Sequence, residues 1–229
     1  MLRWVLRHPR LADHVNPEAA SRQYAQLVAT YDRQLWWLRG LQERLRHRAV
    51  ELLHLRAGHI VLDVGCGTGA SFALLEKEVG GSGGIVGIEQ SAEMLQRARE
   101  RIESAGWRNV TLLQGRAEKV QNIGVVADAA LFFFTHDILR TSFALEQSLR
   151  QVKLGGRVVA AGMKMTSRWA VPLNLGIWLA ARRYVTTSEG FDRPWSYLEQ
   201  LVPGLQVEVS DLGLAYVATG NRSLPSLSD

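Results

Sequence analysis

Along this chain, short unbroken apolar runs alternate with longer stretches in which apolar residues recur every three or four positions. Residues 60–64, 84–89, 109–113, 127–134 and 158–163 are such runs, rich in Val, Ile, Leu and Phe. They are continuous rather than alternating, the pattern of strands covered on both faces of a parallel sheet. Helical spacing fills the gaps over 70–79, 91–105 and 137–152. Ser91 is a capping residue, and Glu93 in the first turn complements the helix dipole. This strand–helix alternation predicts a doubly wound α/β architecture. Upstream, Asn16-Pro17 suits a helix start, predicting one helix over 17–31. A second, over 32–55, carries Leu35, Leu38, Leu41, Leu45, Val50 and Leu53 at helical spacing, with arginines between. After Met163 the rhythm changes. Residues 166–193 form an aromatic-rich insert with a helix over 173–183, and a short helix over 194–201 follows. Residues 205–209 and 215–219 form a closing antiparallel pair, and 221–229 a polar tail expected to be disordered.

The first run leads into the stretch on which the reading turns. Ile60 to Val64 is followed by glycine at Gly65, Gly67 and Gly69, and then by a helical pattern with Phe72, Leu74 and Leu75. Alternate glycines permit a tight turn and remove side chains, so a ligand can lie against backbone. The free N–H groups of the following helix point at that ligand. Strand, glycine turn and helix N-terminus together make a nucleotide-type binding edge. Gly65-x-Gly67-x-x-Ala70 satisfies the dinucleotide fingerprint, a weak signal alone. Asp63, two residues before the first glycine, and Glu89, closing the next strand twenty residues past Gly69, narrow the reading. A carboxylate at Glu89 can accept from both hydroxyls of a ribose.

Val61-Leu62-Asp63-Val64-Gly65-Cys66-Gly67-Thr68-Gly69 resembles the first motif of class I S-adenosylmethionine (SAM)-dependent methyltransferases. Glu89-Gln90-Ser91-Ala92-Glu93-Met94 resembles their acidic second motif, and Lys153-Leu154-Gly155-Gly156 their Lys-Pro-Gly-Gly turn with Leu154 in place of proline. The resemblance covers about Ala57 to Met163. It implies a Rossmann-like doubly wound sheet of seven strands, mainly parallel with the last strand antiparallel. Helical caps come from the N-terminus (1–56) and from the insert after strand five (166–193), around a SAM-binding domain over 57–220. It also implies SAM as cofactor, with contacts from Asp63, Gly65, Cys66, Gly67, Glu89, Gln90, Met94, Arg116, Ala117 and Phe133. Where the family places an Asp that receives the adenine amino group, this chain has Arg116. A guanidinium offers no acceptor, so the backbone or Glu118 reads the adenine, or Arg116 stacks over it. Tyr31-Asp32 looks like the Tyr-Asp pair that folds over the cofactor in small-molecule members. Trp169, Trp178 and Tyr184 fall in the insert that builds the substrate lid.

Composition changes the picture in three places. Nearly half of the 229 residues are hydrophobic, enough for a sizeable core without disulfides or metals. Cys66 is the sole cysteine, consistent with a reducing compartment and a cytoplasmic location. The net charge of +5 lies entirely in residues 1–56, which hold ten arginines against five acids. That basic region is read as a solvated helical face, and the amphipathic segment 1–15 as a capping arm rather than a membrane anchor. No run reaches the roughly 18 apolar residues of a membrane span, and the start lacks a signal-peptide pattern. Histidines are scattered without metal-ligand spacing. The residues after the fourth run, Phe134-Thr135-His136-Asp137, differ from the Asn/Asp-Pro-Pro-Tyr/Phe motif of DNA and protein amino-methyltransferases, and no nucleic-acid module is evident.

Methyl transfer from a sulfonium is an in-line displacement that needs positioning and, for a hydroxyl or carbon acceptor, a base. His136, at the carboxyl edge of the sheet, is the leading base, its alternative role being packing against the cofactor or hydrogen-bonding a strand end; Tyr31 is a second catalytic candidate. Asp137 either orients His136 or caps the helix behind it, and the cap is favoured. The expected function is transfer of the SAM methyl group to a small, fairly apolar acceptor. Aminocarboxypropyl transfer or cyclisation on the same fold is an alternative, and a non-catalytic SAM-fold binding module a minor one. Oligomeric state is not readable from the sequence.

Overall fold

The computed structural model describes residues 36–120, 122–164, 190–210 and 213–223. Thirteen elements follow one another within them. They are α1 (Trp36–Leu52), β1 (Ile60–Val64), α2 (Phe72–Val79), β2 (Gly84–Glu89), α3 (Ala92–Ala105), β3 (Val110–Gln114) and β4 (Ala127–Phe133). There follow α4 (His136–Leu139), α5 (Ser142–Arg150), β5 (Val152–Met163), α6 (Ser196–Leu201), β6 (Gln206–Val209) and β7 (Ala215–Asn221). The expected helices over 17–31 and 173–183 lie outside the described residues.

The seven strands form one sheet in the order β3-β2-β1-β4-β5-β7-β6. β1 pairs in parallel with β2 and β4, β2 with β3, and β4 with β5; β7 runs antiparallel to both β5 and β6. The chain moves outward from β1 through β2 to β3, then returns to the far side of β1 to place β4. The tips of β1 and β4 therefore flank the point where strand order reverses, which is where ligands bind in such sheets.

Continuous apolar strands are satisfied by packing on both faces. Val61, Ile85, Ala129, Leu131, Val159 and Val217 meet Ala49, Val50 and Leu53 of α1, Phe72 and Leu75 of α2, and Leu95 and Ala98 of α3. Leu62, Val64, Ile88, Ala130, Phe132 and Val158 meet Leu139 of α4, Ala144, Leu145 and Leu149 of α5, and Leu198 of α6. Burying such side chains contributes roughly 25 cal/mol per Å² of apolar area. The end of α1 is held by Arg157 Nε, which donates to the Leu52 carbonyl at 2.9 Å.

Three boundaries differ from the sequence reading. The helix expected over 137–152 is two helices, because Thr141 is extended (φ −116, ψ 99) and begins α5 afresh. The turn expected over 153–157 is instead the first part of β5. Ala127 pairs with Val152 and Ala129 with Arg157, so the extra residues bulge out between these pairings. Gly155 (φ +77) and Gly156 make the bulge feasible, since a Cβ on Gly156 would sit 2.6 Å from Val152 Cγ1 and 2.8 Å from the Asp128 carbonyl. Finally, Asn221 is no part of a tail: it closes β7 opposite Arg157.

Candidate functional site

The turn after β1 is shaped by its glycines. Gly65, Gly67 and Gly69 adopt φ of +74, +57 and +71, a region that side chains disfavour. The N–H groups of Gly65 and Cys66 both donate to the Ile88 carbonyl, at 2.8 and 3.0 Å, tying the turn to β2. A Cβ on Gly65 would stand 2.5 Å from Thr135 Cγ2, and one on Gly69 2.5 Å from the Phe72 ring. At Gly67 the nearest atom would be the Met94 sulfur, at 3.6 Å. Packing accounts for the outer two glycines, whereas the middle one presents open backbone, the surface a ligand needs. Cys66 is buried, and desolvation, with Asp63 and Glu89 adding, pushes its thiol far up.

Glu89 ends β2 beside this turn. Its carboxylate accepts from the Gly67 N–H at 3.2 Å and the Ser91 N–H at 2.9 Å. Burial raises its pKa, while the Ser91, Gly67 and Gln90 N–H groups work against the rise. Gln90 contributes backbone and leaves its side chain exposed. Ser91 caps α3 as expected, its hydroxyl accepting from the Met94 N–H at 3.2 Å, and Met94 turns its sulfur to Gly67. After β3, Ala117 is buried, and Arg116 forms an ion pair with Glu118. Of the three ways to read an adenine, this pairing occupies the Glu118 carboxylate and the guanidinium with each other.

Asp63, on β1 below the turn, is 2% exposed, and its Oδ2 has no hydrogen-bond partner. Desolvation pushes its carboxyl up to about 7, with Glu89 adding to the rise and Arg46 opposing it. Arg46 is the residue that sequence reasoning missed. It comes from α1, is 9% exposed, and sets its guanidinium 4.8 Å from the centroid of the Phe133 ring. The sequence pattern assigns the arginines of this helix to a solvated face. Yet Arg46 lies three, four and seven positions before Ala49, Val50 and Leu53, all buried, so it sits on the apolar stripe. That offset was the available signal.

Beyond β4 the backbone turns sharply. Phe134 has φ +59, a left-handed conformation that stores on the order of 1–3 kcal/mol in a bulky residue. Its N–H donates to the Ala161 carbonyl at 2.8 Å, which holds the turn. Thr135, buried against Gly65, takes the N-cap position of α4. Asp137, the favoured cap, instead lies in the first turn, where its carboxylate complements the dipole. His136 opens α4 and stacks on Phe191, ring centroids 3.9 Å apart and planes at 21°. Trp195 meets Tyr216 at 4.9 Å, and Arg140 lies 5.5 Å over Tyr197. Phe191, near the end of the insert, and Trp195 and Tyr197 just after it had no signal in the sequence linking them to His136. Tyr31, Trp169, Trp178 and Tyr184 lie outside the described residues.

The residues at the switch point fit SAM: an open glycine backbone, a carboxylate at the tip of β2, and a buried Asp63 oxygen lacking a partner. A separate groove of about 570 Å³ lies between α1 and α2, lined by Arg44, His47, Arg48, Glu51 and Lys77 among others. Arg48 there is engaged by Glu51 and Glu208. It shares no residue with the switch point. Among the described residues, no helix is long and apolar enough to cross a membrane.

The chain is 37% identical over 110 residues to a protein-L-isoaspartate O-methyltransferase of Ignicoccus hospitalis, covering 48% of this chain and 50% of that protein. It is 35% identical over 122 residues to the ubiquinone/menaquinone biosynthesis C-methyltransferase UbiE of Methylococcus capsulatus, covering 52% and 49%. The chain thus spans about half the length of these curated relatives. An O-methyltransferase family protein from Burkholderia thailandensis shares the fold with a TM-score of 0.66 at 18% identity, over 97% of this chain and 67% of that one. A SAM-dependent methyltransferase from Aquifex aeolicus does so with a TM-score of 0.53 at 21% identity, over 76% and 88%. The model of the methyltransferase domain matches residues 55–171, just over half the chain, from the end of the α1 region into the insert. With that match laid over the β1 turn, Glu89 and the β4 tip, the chain belongs to the methyltransferase-domain family, whose methyl donor is SAM.

Proposed function

We propose that this protein transfers the methyl group of SAM to a small, fairly apolar acceptor. When bound, SAM supplies an electrophilic methyl carbon on a sulfonium. The observation that carries the reading is the coupling of the open Gly67 backbone to Glu89 at 3.2 Å, beside the β1–β4 switch point. In this reading Glu89 holds the ribose, Met94 and Ala117 border the base, and Asp63 lies toward the amino-acid end.

Acceptor chemistry falls to the β4 tip. Phe133, Phe134 and Phe191 supply an apolar wall, which favours a substrate with little charge. His136, stacked on Phe191, takes the acceptor's proton if the nucleophile is a hydroxyl or an acidic carbon. The name of the UbiE relative, a quinone-pathway C-methyltransferase, is compatible with an aromatic carbon acceptor. Residues 1–56 and 166–193 are proposed to cap the cleft, and the cytoplasm is the proposed location. The test is incubation with methyl-labelled SAM and a panel of phenols, quinols and amines, read by mass spectrometry. A product heavier by one labelled methyl supports the reading. Transfer of the aminocarboxypropyl arm, or no turnover with any acceptor despite tight SAM binding, overturns it.

A further inference from the structure

We infer that the edge of the sheet opposite the cleft docks on an anionic lipid surface, through Val125, Val126 and Leu154 with Arg150 and Arg222 beside them. The starting point is apolar area left open to solvent. Val126 is 65% exposed, Leu154 55% and Val125 42%, three of the five large apolar side chains that stand exposed among the described residues. The strand register brings them together. Ala127, next to Val126, pairs with Val152, and its N–H donates to the Gln151 carbonyl at 2.8 Å. Leu154 lies two residues past Val152, on the bulge that Gly155 and Gly156 allow. The loop before β4 and the bulge of β5 thus project side by side from the same end of two neighbouring strands. Apolar groups exposed together and rimmed by charge mark an interaction surface.

The charge around them is positive. Arg222 lies against the bulge: its N–H donates to the Gly156 carbonyl, and its own carbonyl accepts from the Gly155 N–H, both at 2.8 Å. Its Nη1 donates to the carbonyls of Arg150, at 3.3 Å, and of Val152. Burial lowers the Arg222 pKa, and the charge of the exposed Arg150 lowers it further. An anion placed at these two guanidiniums relieves their repulsion. Lys153 adds a third cation, half exposed and paired with Asp128 at 2.6 Å. Both features together call for a bilayer with anionic headgroups. A free phosphate would satisfy the arginines and leave Leu154 and Val126 in water. A stable protein interface buries roughly 1,200 Å² or more, whereas these side chains are the tips of two turns. A lipid interface takes isolated apolar tips between its headgroups while lysine and arginine meet its phosphates. β4 is seven residues long, so the patch lies about 20 Å from the cleft at its other end. The docked protein therefore turns its cleft to the aqueous side.

The experiment is co-sedimentation of the full chain with vesicles of phosphatidylcholine alone or of phosphatidylcholine mixed with phosphatidylglycerol. Neither SAM nor acceptor is present, so the outcome is independent of the proposed function. Binding is expected with the mixed vesicles only, and weakens at high salt. Val126→Ser combined with Leu154→Ser lowers that affinity at least tenfold. Arg150→Gln lowers it about fivefold, the worth of one cation near an anionic surface. These three side chains are exposed, so thermal melting and S-adenosylhomocysteine affinity stay as in the wild type. Undiminished vesicle binding by the double variant overturns the inference and gives the contact to another basic surface, residues 1–56 among them. Absence of wild-type binding to the mixed vesicles overturns it as well. So does a dimer in free solution that the double variant splits, which makes the patch an interface between two copies.

Discussion

The two halves of the cleft are built by different means. On the β1–β2 side, the wall is held together mostly by backbone donors: the Gly65 and Cys66 amides on Ile88, and the Gly67 and Ser91 amides on Glu89. On the β4 side it is mostly side chain. There His136, Phe191, Trp195 and Tyr216 come from three separate stretches and meet as rings. A backbone cradle demands glycine and a fixed spacing and suits one unchanging ligand. A wall of rings can be remodelled one residue at a time, which suits variation in the acceptor.

That contrast can be broken by substitutions on either side. The largest effect is expected from His136→Ala, which should lower turnover about 10²–10⁴-fold if the imidazole is the base, with S-adenosylhomocysteine affinity unchanged in calorimetry. Equal turnover at saturating acceptor would leave the ring as a packing partner of Phe191. Gly65→Val should come next. It forces a Cβ into Thr135 at φ +74, lowering stability by about 3 kcal/mol in denaturant melts and removing measurable ligand binding. Retained binding would show that the two halves do not touch as closely as Gly65 and Thr135 suggest.

Glu89→Ala should weaken S-adenosylhomocysteine binding by about 1–3 kcal/mol, the loss of charged hydrogen bonds, and leave any acceptor binding unaltered. Unchanged calorimetric affinity would take the ribose away from this carboxylate. The mildest effect, and the most pH-dependent, concerns Asp63. Its folded pKa of about 7 lies above the ordinary 3.8, with Arg46 and Glu89 as the charges facing it. The folded state therefore holds this proton more tightly than the unfolded one, and stability falls as pH rises from about 4 to 7. Asp63→Asn should flatten that fall in melts taken across the window. Ligand affinity in the wild type should rise through pH 7, because an ammonium favours the charged carboxylate. A pH-independent affinity would place the ammonium elsewhere.

How much of this was legible follows from the same contrast. Ile60 to Gly69 and Glu89 could be read because their chemistry is local: a strand, glycines where φ is positive, and an acid at a strand end. The split of α4 from α5 could not, because nothing in Arg140-Thr141 forbids a helix. The break shows only in the backbone, where Thr141 turns extended before α5 begins. The bulge in β5 depends on Asp128 and Val152 of neighbouring strands. Arg46 was legible in principle from its offset to Ala49, Val50 and Leu53. Its charge points to solvent while its position on the helix points to the core, and position decides its burial.

At the edge of the sheet farthest from the cleft, Asp128 of β4 accepts from the Ile60 N–H at 2.7 Å and from Lys153 Nζ at 2.6 Å. Burial works to raise its pKa, but those donors hold it below the usual carboxylate range. Its contribution is thus present above the ordinary pKa and is lost as pH falls through the lower folded value, opposite in sign to Asp63. One acid anchors β1, β4 and β5 from beneath, while the other loads them from above. A foundation riveted in this way relieves the residues of the upper rim of holding the strands together.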